Sequence, residues 1–450
     1  MGDPAVLEAI AARYPLSTQQ RLCCEEPETS GSGFILPFAL RIKGKLDIDA
    51  LQGALDDVVE RHEVLRTRIT CGGDGQAPYQ TILAAQPVPF TVYELAPEPD
   101  RSRDQLADEL LIQLNTERMD MSETPLLRAA LHRFDDRDAV LTILSHHSAG
   151  DGWSCNLIRR DLAACYQART TGIPHELPEV RQYREFGAWQ QEWVSGQRAS
   201  AAREYWHAKL AGTQVFALPA DRPNGPGVLQ SPYATANFVV EPAAFAAVEA
   251  RAGSVRGSGW HAILAAGALL AEKVRGSSDV TLMTNVSGRT DWRFHDTVGF
   301  FADFLPLRIE LGDCATLGDA LVRSRSSCLE AYRNLIPISI IEAGLPEFTK
   351  PYDEPWSMPF IFNYSRPVIG PADFQFAESV ESVTLATEEP TDRGGWCIWS
   401  MWKLPSGGLR GVIEYSPDLV DSSTVERWVE EFVQLLSLIA DVPNQHRKGQ

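Results

Sequence analysis

The sequence predicts an α/β protein built as two compact units. Helical apolar spacings alternate with runs rich in β-branched residues along the whole chain. The length of 450 residues exceeds what one hydrophobic core usually serves. A stretch with two prolines, a glycine and mixed charge, TTGIPHELPEVR at 170–181, interrupts the pattern between two predicted helices. The boundary is placed there, giving units of residues 1–177 and 178–450.

In the first unit, DIDALQGALDDVVERH at 47–62 spaces Ile48, Leu51, Leu55, Val58 and Val59 on one helical face. Residues 64–69, 81–83, 90–93, 126–133 and 140–145 read as strands from their β-branched content and alternation. A helix over 154–168 closes the unit. The second unit opens with an aromatic-rich helix around 186–193, and ADRPNGPGVLQS at 220–231 reads as a loop within it. Then come a strand at 235–240, a helix at 260–274, strands at 280–285 and 305–310, and a helix at 317–335. Strands at 360–364, 396–403 and 408–415 and a helix at 422–438 complete it.

Sixty acidic against 41 basic side chains leave a formal charge of −19, the wrong sign for a partner gripped through phosphates. Nucleic acid and anionic membrane are therefore not expected partners. The longest apolar stretch, Trp260 to Ala271, is too short to span a bilayer. Asp3 and Glu8 stand where a secretory signal would carry basic residues. Eight scattered cysteines without a Cys-x-x-Cys pair predict free thiols in a reducing cytoplasm.

The chemistry concentrates at 141–154, LTILSHHSAGDGWS. An apolar strand runs into two histidines, and successive side chains on a strand point to opposite faces, so one is expected to be structural and the other presented. Ser148, Ala149 and Gly150 allow a tight turn with room beside the ring, and Gly152 can bring a bare N–H to a developing oxyanion. Imidazole, oxyanion donor and a small-residue cavity suit acyl transfer. Plainer readings stand beside this one. A histidine at a strand end is commonly a hydrogen-bonded core residue, and Asp151 with its flanking glycines can simply start a helix. His-His-x-x-x-Asp could also supply three metal ligands, although no Cys or Glu nearby completes a familiar spacing.

This segment, His-His-x-x-x-Asp-Gly, resembles the signature of nonribosomal peptide synthetase condensation domains, within the chloramphenicol acetyltransferase-like superfamily. Further matches follow in order across nearly the whole chain: YPLSTQQ at 14–20, RHEVLRTRI at 61–69, YREFGAW at 183–189, NVSGRT at 285–290, VGFFADFLPLR at 298–308, FNY at 362–364 and GVIEYSPDLVDSSTVERW at 411–428. Two departures stand out. The Trp usual after the first motif is replaced by the Cys23 region, and Asp303 and Phe304 stand where the family usually has Asn and Thr.

The resemblance implies two acetyltransferase-like α/β sandwich lobes arranged as a V-shaped pseudo-dimer, with a tunnel between them and carrier proteins at its two mouths. It implies that His147 is the catalytic imidazole, as a base or as a positioning group, and that Gly152 contributes a backbone donor. His146, Asp151 and Arg289 are implied as structural supports, with Arg289 reaching Asp151 from the other lobe. Asn363, Ser154, Trp153 and Asp303 are expected along the tunnel; for Asn363 an amide bonded within its own strand is an equal alternative. No metal or bound cofactor is implied, since the substrate arrives on the phosphopantetheine of a carrier protein.

The expected function is condensation of an acyl or aminoacyl thioester with an amine or hydroxyl in natural-product biosynthesis. The alternatives are an ester-forming acyltransferase of the wax ester synthase or polyketide-associated type, and a non-catalytic carrier-docking module. The intact motif separates this chain from heterocyclisation and recruitment-only relatives. NVSGRTD separates it from epimerisation domains, which have Gly-His-Gly-Arg-Glu there, and the plant-type Asp-Phe-Gly-Trp-Gly does not occur. With no Gly-Gly-x-Ser carrier segment or adenylation motif, the chain looks like a stand-alone cytoplasmic enzyme, with a domain excised from a larger synthetase as the alternative. Because net charge would not attract an acidic carrier, docking is expected at a local basic or apolar patch at one tunnel mouth, with Arg21, Arg159 and Arg160 as candidates; the plainer reading of Arg159 and Arg160 is an ordinary solvated helix face.

Overall fold

The computed structural model describes residues 12–25, 35–73, 75–96, 100–114, 118–225, 227–365, 381–385 and 395–441. Residues 1–11, read above for the lack of an export signal, lie outside them. The chain divides into two compact α/β units. The first comprises Met1–Trp193, Ser287–Ala302 and a further return that includes the strand Glu381–Leu385; the second takes the rest. The expected linear boundary at 177/178 thus contrasts with a division at Trp193 and a return at Ser287–Ala302. Phe294, Val298, Phe300 and Phe301 of that return are buried in the core formed by residues 23–186. Their apolar surface assigns the segment to the first unit.

The first unit's main sheet has five strands in the order Glu381–Leu385, Ile35–Lys43, Asp138–His146, Leu127–Asp135 and Phe90–Glu94. Asp138–His146 is buried at every position, and its apolar run DAVLTILSH shows why: both of its sides are paired and both faces covered. The amphipathic helix Ile48–Arg61 starts at Asp47, whose side chain accepts from Ala50 N, and it buries Leu51, Leu55, Val58 and Val59. It packs beside the helix Gly152–Thr171. A smaller sheet joins Arg13–Pro15, Tyr79–Ile82 and Thr67–Thr70. The strand predicted over 64–69 begins only at Thr67, after a 3₁₀ turn at Glu63–Arg66. Thr67 N closes that turn on Val64 O, and Thr67 Oγ1 donates to Glu63 O.

The second unit centres on a seven-stranded sheet. Its order is Asp303–Glu310, Asp279–Val286, Ser357–Ser365, Cys397–Lys403, Leu409–Tyr415 and Ala234–Val240, with Ala217–Pro219 also pairing Ser357–Ser365. The helices Gly259–Arg275, Leu317–Arg333 and Ser422–Asp441 pack on one another. No helix of the described residues is long and apolar enough to cross a membrane.

The expectation that all cysteines are free thiols is corrected at one pair. Cys24 and Cys71 form a disulfide with Cα atoms 5.3 Å apart, within bridging range, while Cys23, Cys155, Cys165, Cys314, Cys328 and Cys397 are buried and form no disulfide. Sequence spacing does not reveal this, because 47 residues separate the partners and the fold alone brings them together. Alkylation of the denatured, unreduced protein should leave Cys24 and Cys71 unmodified while labelling the adjacent thiol of Cys23. Prior reduction should label both, and mass mapping checks this.

Candidate active site

The strand Asp138–His146 ends at the histidine pair, and the chain turns through His147–Ala149 into the helix Gly152–Thr171. His146 is 5% exposed; its Nδ1 lies 2.7 Å from Ser148 Oγ and accepts from Ser148 N at 3.1 Å. Burial, with the neighbouring His147 adding, pulls its pKa down to about 4. His147 is half-buried, and its ring lies 4.2 Å from that of Phe300, tilted by 54°. Gly152 is exposed at the first position of the helix, and a side chain there would meet open space. Its N–H belongs to the first turn, where helical donors have no intrahelical partner.

The low His146 value makes a pH prediction. Its ordinary value is 6.5, so between pH 6.5 and about 4 the unfolded chain takes up a proton that the folded chain does not. Stability should therefore fall as pH is lowered through that window, by up to ~1.4 kcal/mol per pH unit from this group. His62, His132 and His261, also lowered by burial, act in the same direction. Urea unfolding of His146→Gln should show a pH slope shallower by up to one proton. An unchanged slope would mean that His146 titrates normally.

Asp151 caps the helix and is almost fully engaged. Its Oδ1 accepts from Ser154 N at 2.8 Å and from Arg289 Nη2 at 3.3 Å. Its Oδ2 accepts from Phe301 N at 3.0 Å and Ala302 N at 3.1 Å. Such a donor set holds an anion by hydrogen bonds and leaves little of it for a metal ion. The Asp151 and Arg289 side chains are 3% and 1% exposed. Arg289 Nη1 donates to Phe294 O and Thr297 O, and the guanidinium lies 3.9 Å above the Phe301 ring. The expectation that Arg289 comes from the other lobe is corrected. The structure groups it with Asp151, because Ser287–Ala302 belongs to the first unit. Gly288 permits that course: its φ is +64°, and a Cβ there would collide with Phe301 O.

The placement of Ser154 along the substrate path is also corrected. It is fully buried and its hydroxyl is spent inside the protein. Ser154 Oγ accepts from Arg289 Nη2 at 2.9 Å and from Gly299 N at 3.0 Å, with Asp151 Oδ1 and Gly299 O in reach of its proton. Trp153 is half-buried, and its Nε1 donates to His295 O at 3.0 Å. Two further tunnel candidates lie in the second unit. Asn363 Oδ1 accepts from Asn285 N on a nearby strand at 2.9 Å rather than bonding within its own strand. Asp303 Oδ1 accepts from Phe304 N at 2.8 Å and Ile338 N at 3.4 Å.

The docking candidates on the helix after the motif also change. Arg160 pairs with Asp161 and Asp296, and Arg159 lies half-buried over the Phe38 ring. Both part-exposed guanidiniums thus have partners within the first unit.

Sequence reasoning misses Ser17, Tyr183 and Phe300 as individual site residues, although all three lie in the motifs quoted above. Ser17 Oγ lies 2.8 Å from Tyr183 Oη, and the Tyr183 hydroxyl donates to Phe300 O. The motifs in which they stand are the available signal; their partners are not written there.

Comparison with known proteins gives a consistent result. The family model described as "Condensation domain" matches residues 10–449. A linear gramicidin synthase from Brevibacillus parabrevis is 29% identical over 447 residues; the match covers 96% of this chain and 6% of that protein. Phosphinothricin tripeptide synthetase PhsC from Streptomyces viridochromogenes is 31% identical, with 90% of this chain and 37% of that protein covered. The chain thus spans well under half the length of these relatives. Among solved structures, SgcC5 from Streptomyces globisporus superposes with a TM-score of 0.81 at 30% identity, covering 95% of this chain and 98% of that one.

Proposed function

The chain belongs to the condensation-domain family, and from that premise we propose that it transfers an acyl or aminoacyl group from a carrier-protein phosphopantetheine thioester to an amine or hydroxyl. The observation that carries this reading is the intact motif with its roles separated. His146 is buried and neutral, Asp151 is consumed in holding the helix start, His147 is half-exposed, and Gly152 is exposed at the first position of the following helix.

In the proposed reaction the nucleophile's lone pair attacks the thioester carbon and the carbonyl oxygen takes the negative charge. The Gly152 N–H is the donor for that oxygen. The His147 imidazole takes the nucleophile's proton as the new bond forms and returns it to sulfur as the carbon–sulfur bond breaks. Thioester and nucleophile become an amide or ester and a free thiol, with no redox change. Phosphopantetheine belongs to the carrier, so the enzyme itself uses no bound cofactor in this reading.

The test is incubation with a panel of acyl- and aminoacyl-loaded carrier proteins and of small amines and alcohols, read by mass spectrometry. An enzyme-dependent amide or ester is expected with at least one pairing. Carrier binding without product across the panel would favour the docking-module reading and sink the catalytic one.

A further inference from the structure

The Phe300 ring lies against the imidazole of His147, at 4.2 Å between centroids, and the backbone that carries it is tightly held. Gly299 N donates to Ser154 Oγ, Phe300 O accepts from the buried Tyr183 hydroxyl, and Phe301 N and Ala302 N donate to Asp151 Oδ2. Tyr183 is in turn held by Ser17, and a Cβ at position 299 would collide with the Tyr183 ring. Four successive residues are thus bonded to side chains from other parts of the first unit. Phe300 itself is only 8% exposed.

We infer that Phe300 is a positioning residue for the reaction: its ring fixes the rotamer of His147 and keeps water off one face of the imidazole, and the Asp151, Ser154 and Tyr183 contacts act on the chemistry by holding Phe300 there. The inference rests on the proposed catalytic role of His147. Covering one face disfavours the imidazolium, because a charged ring loses hydration. The attraction of an aromatic face for a cation opposes this, yet His132, whose ring stacks on that of Tyr93 at 5.0 Å, is still lowered by burial. Removing the ring should therefore raise the pKa of His147, and it should free the ring to leave its working rotamer.

The measurement is the ¹³C NMR titration of the His147 Cε1 signal, assigned by its loss in His147→Ala, together with the pH profile of kcat/KM. Phe300→Ala and Phe300→Leu should both move the His147 titration to higher pH, by about half a unit or more. They should lower kcat roughly tenfold, a part of what a positioned base contributes, with little change in donor KM. Phe300→Tyr, which keeps the ring, should stay near wild type in both. The leucine variant guards against misfolding of the alanine one, and near-ultraviolet circular dichroism checks each. A His147 titration that is unmoved or shifted to lower pH in folded Phe300→Ala and Phe300→Leu overturns the inference. If the titration moves upward but His147→Ala keeps full activity, the ring contact stands, while the catalytic reading of His147 fails and takes the role of Phe300 in the reaction with it.

Discussion

Replacing His147 with Ala should lower turnover by about 10²- to 10⁴-fold, the usual contribution of a positioned general base, while leaving the fold intact. The two expectations come from different parts of the geometry. His147 is half-buried at the start of a 3₁₀ turn, so shortening it removes an imidazole without opening the core. His146, 5% exposed and bonded to Ser148, is in the opposite position, and His146→Ala should lower thermal stability first and activity only in consequence. Steady-state kinetics with saturating donor and nucleophile, beside thermal unfolding of both variants, separates the cases. Near-normal turnover in His147→Ala would remove the imidazole from the mechanism.

Removing either member of the Asp151–Arg289 pair should cost about 3–5 kcal/mol of stability, because the remaining charge would be left buried. Asp151→Ala is the more severe change. It strands Arg289 and also leaves Phe301 N, Ala302 N and Ser154 N without their acceptor. Arg289→Met strands the carboxylate, which keeps its backbone donors, and leaves Phe294 O and Thr297 O without the guanidinium. The double variant Asp151→Ala, Arg289→Met should be less destabilised than the sum of the single changes, since neither charge remains. Urea unfolding of the four proteins gives the coupling directly. Strict additivity would show that the pair is not coupled across the 3.3 Å the structure gives. Activity should fall in the two variants that lose Asp151, because the backbone of residues 301 and 302 is released beside Phe300.

Much of this architecture is legible in the sequence because local periodicity carries it. The helices Ile48–Arg61, Gly152–Thr171 and Ser422–Asp441 and the strands around them fall close to their predicted spans. Other elements leave weaker traces. The helices Gln197–Leu210 and Pro242–Ser254 escape the sequence reading, and their buried stripes rest largely on small or single residues: Ala199, Ala202, Trp206 and Leu210 in one, Phe245, Val248 and Ala252 in the other. An alanine stripe gives little hydrophobic contrast. The strand Ile35–Lys43 carries Pro37, which argues against a central strand. It is tolerated because Glu381–Leu385 pairs only with Ala39–Lys43, so Pro37 sits where one side of the strand has no partner among the described residues.

By itself the sequence determined the α/β class, the family signature and the split between a buried and a presented histidine. These follow from neighbours within a few residues: the pleat alternation at 146–147, the turn residues after it, and the apolar runs before it. Tertiary structure alone decided what those residues do with their hydrogen bonds. It placed Ser287–Ala302 in the first unit, turned Ser154 inward, occupied Arg160 with Asp161 and Asp296, and joined Cys24 to Cys71. It also linked Ser17 and Tyr183 to the residue that packs on His147. The physical reason is the range of the contacts. Arg289 reaches Asp151 across 138 residues, Phe301 across 150, and Ser17 meets Tyr183 across 166. A buried carboxylate or hydroxyl takes whichever donors the packed backbone delivers, and local sequence holds no record of which those are.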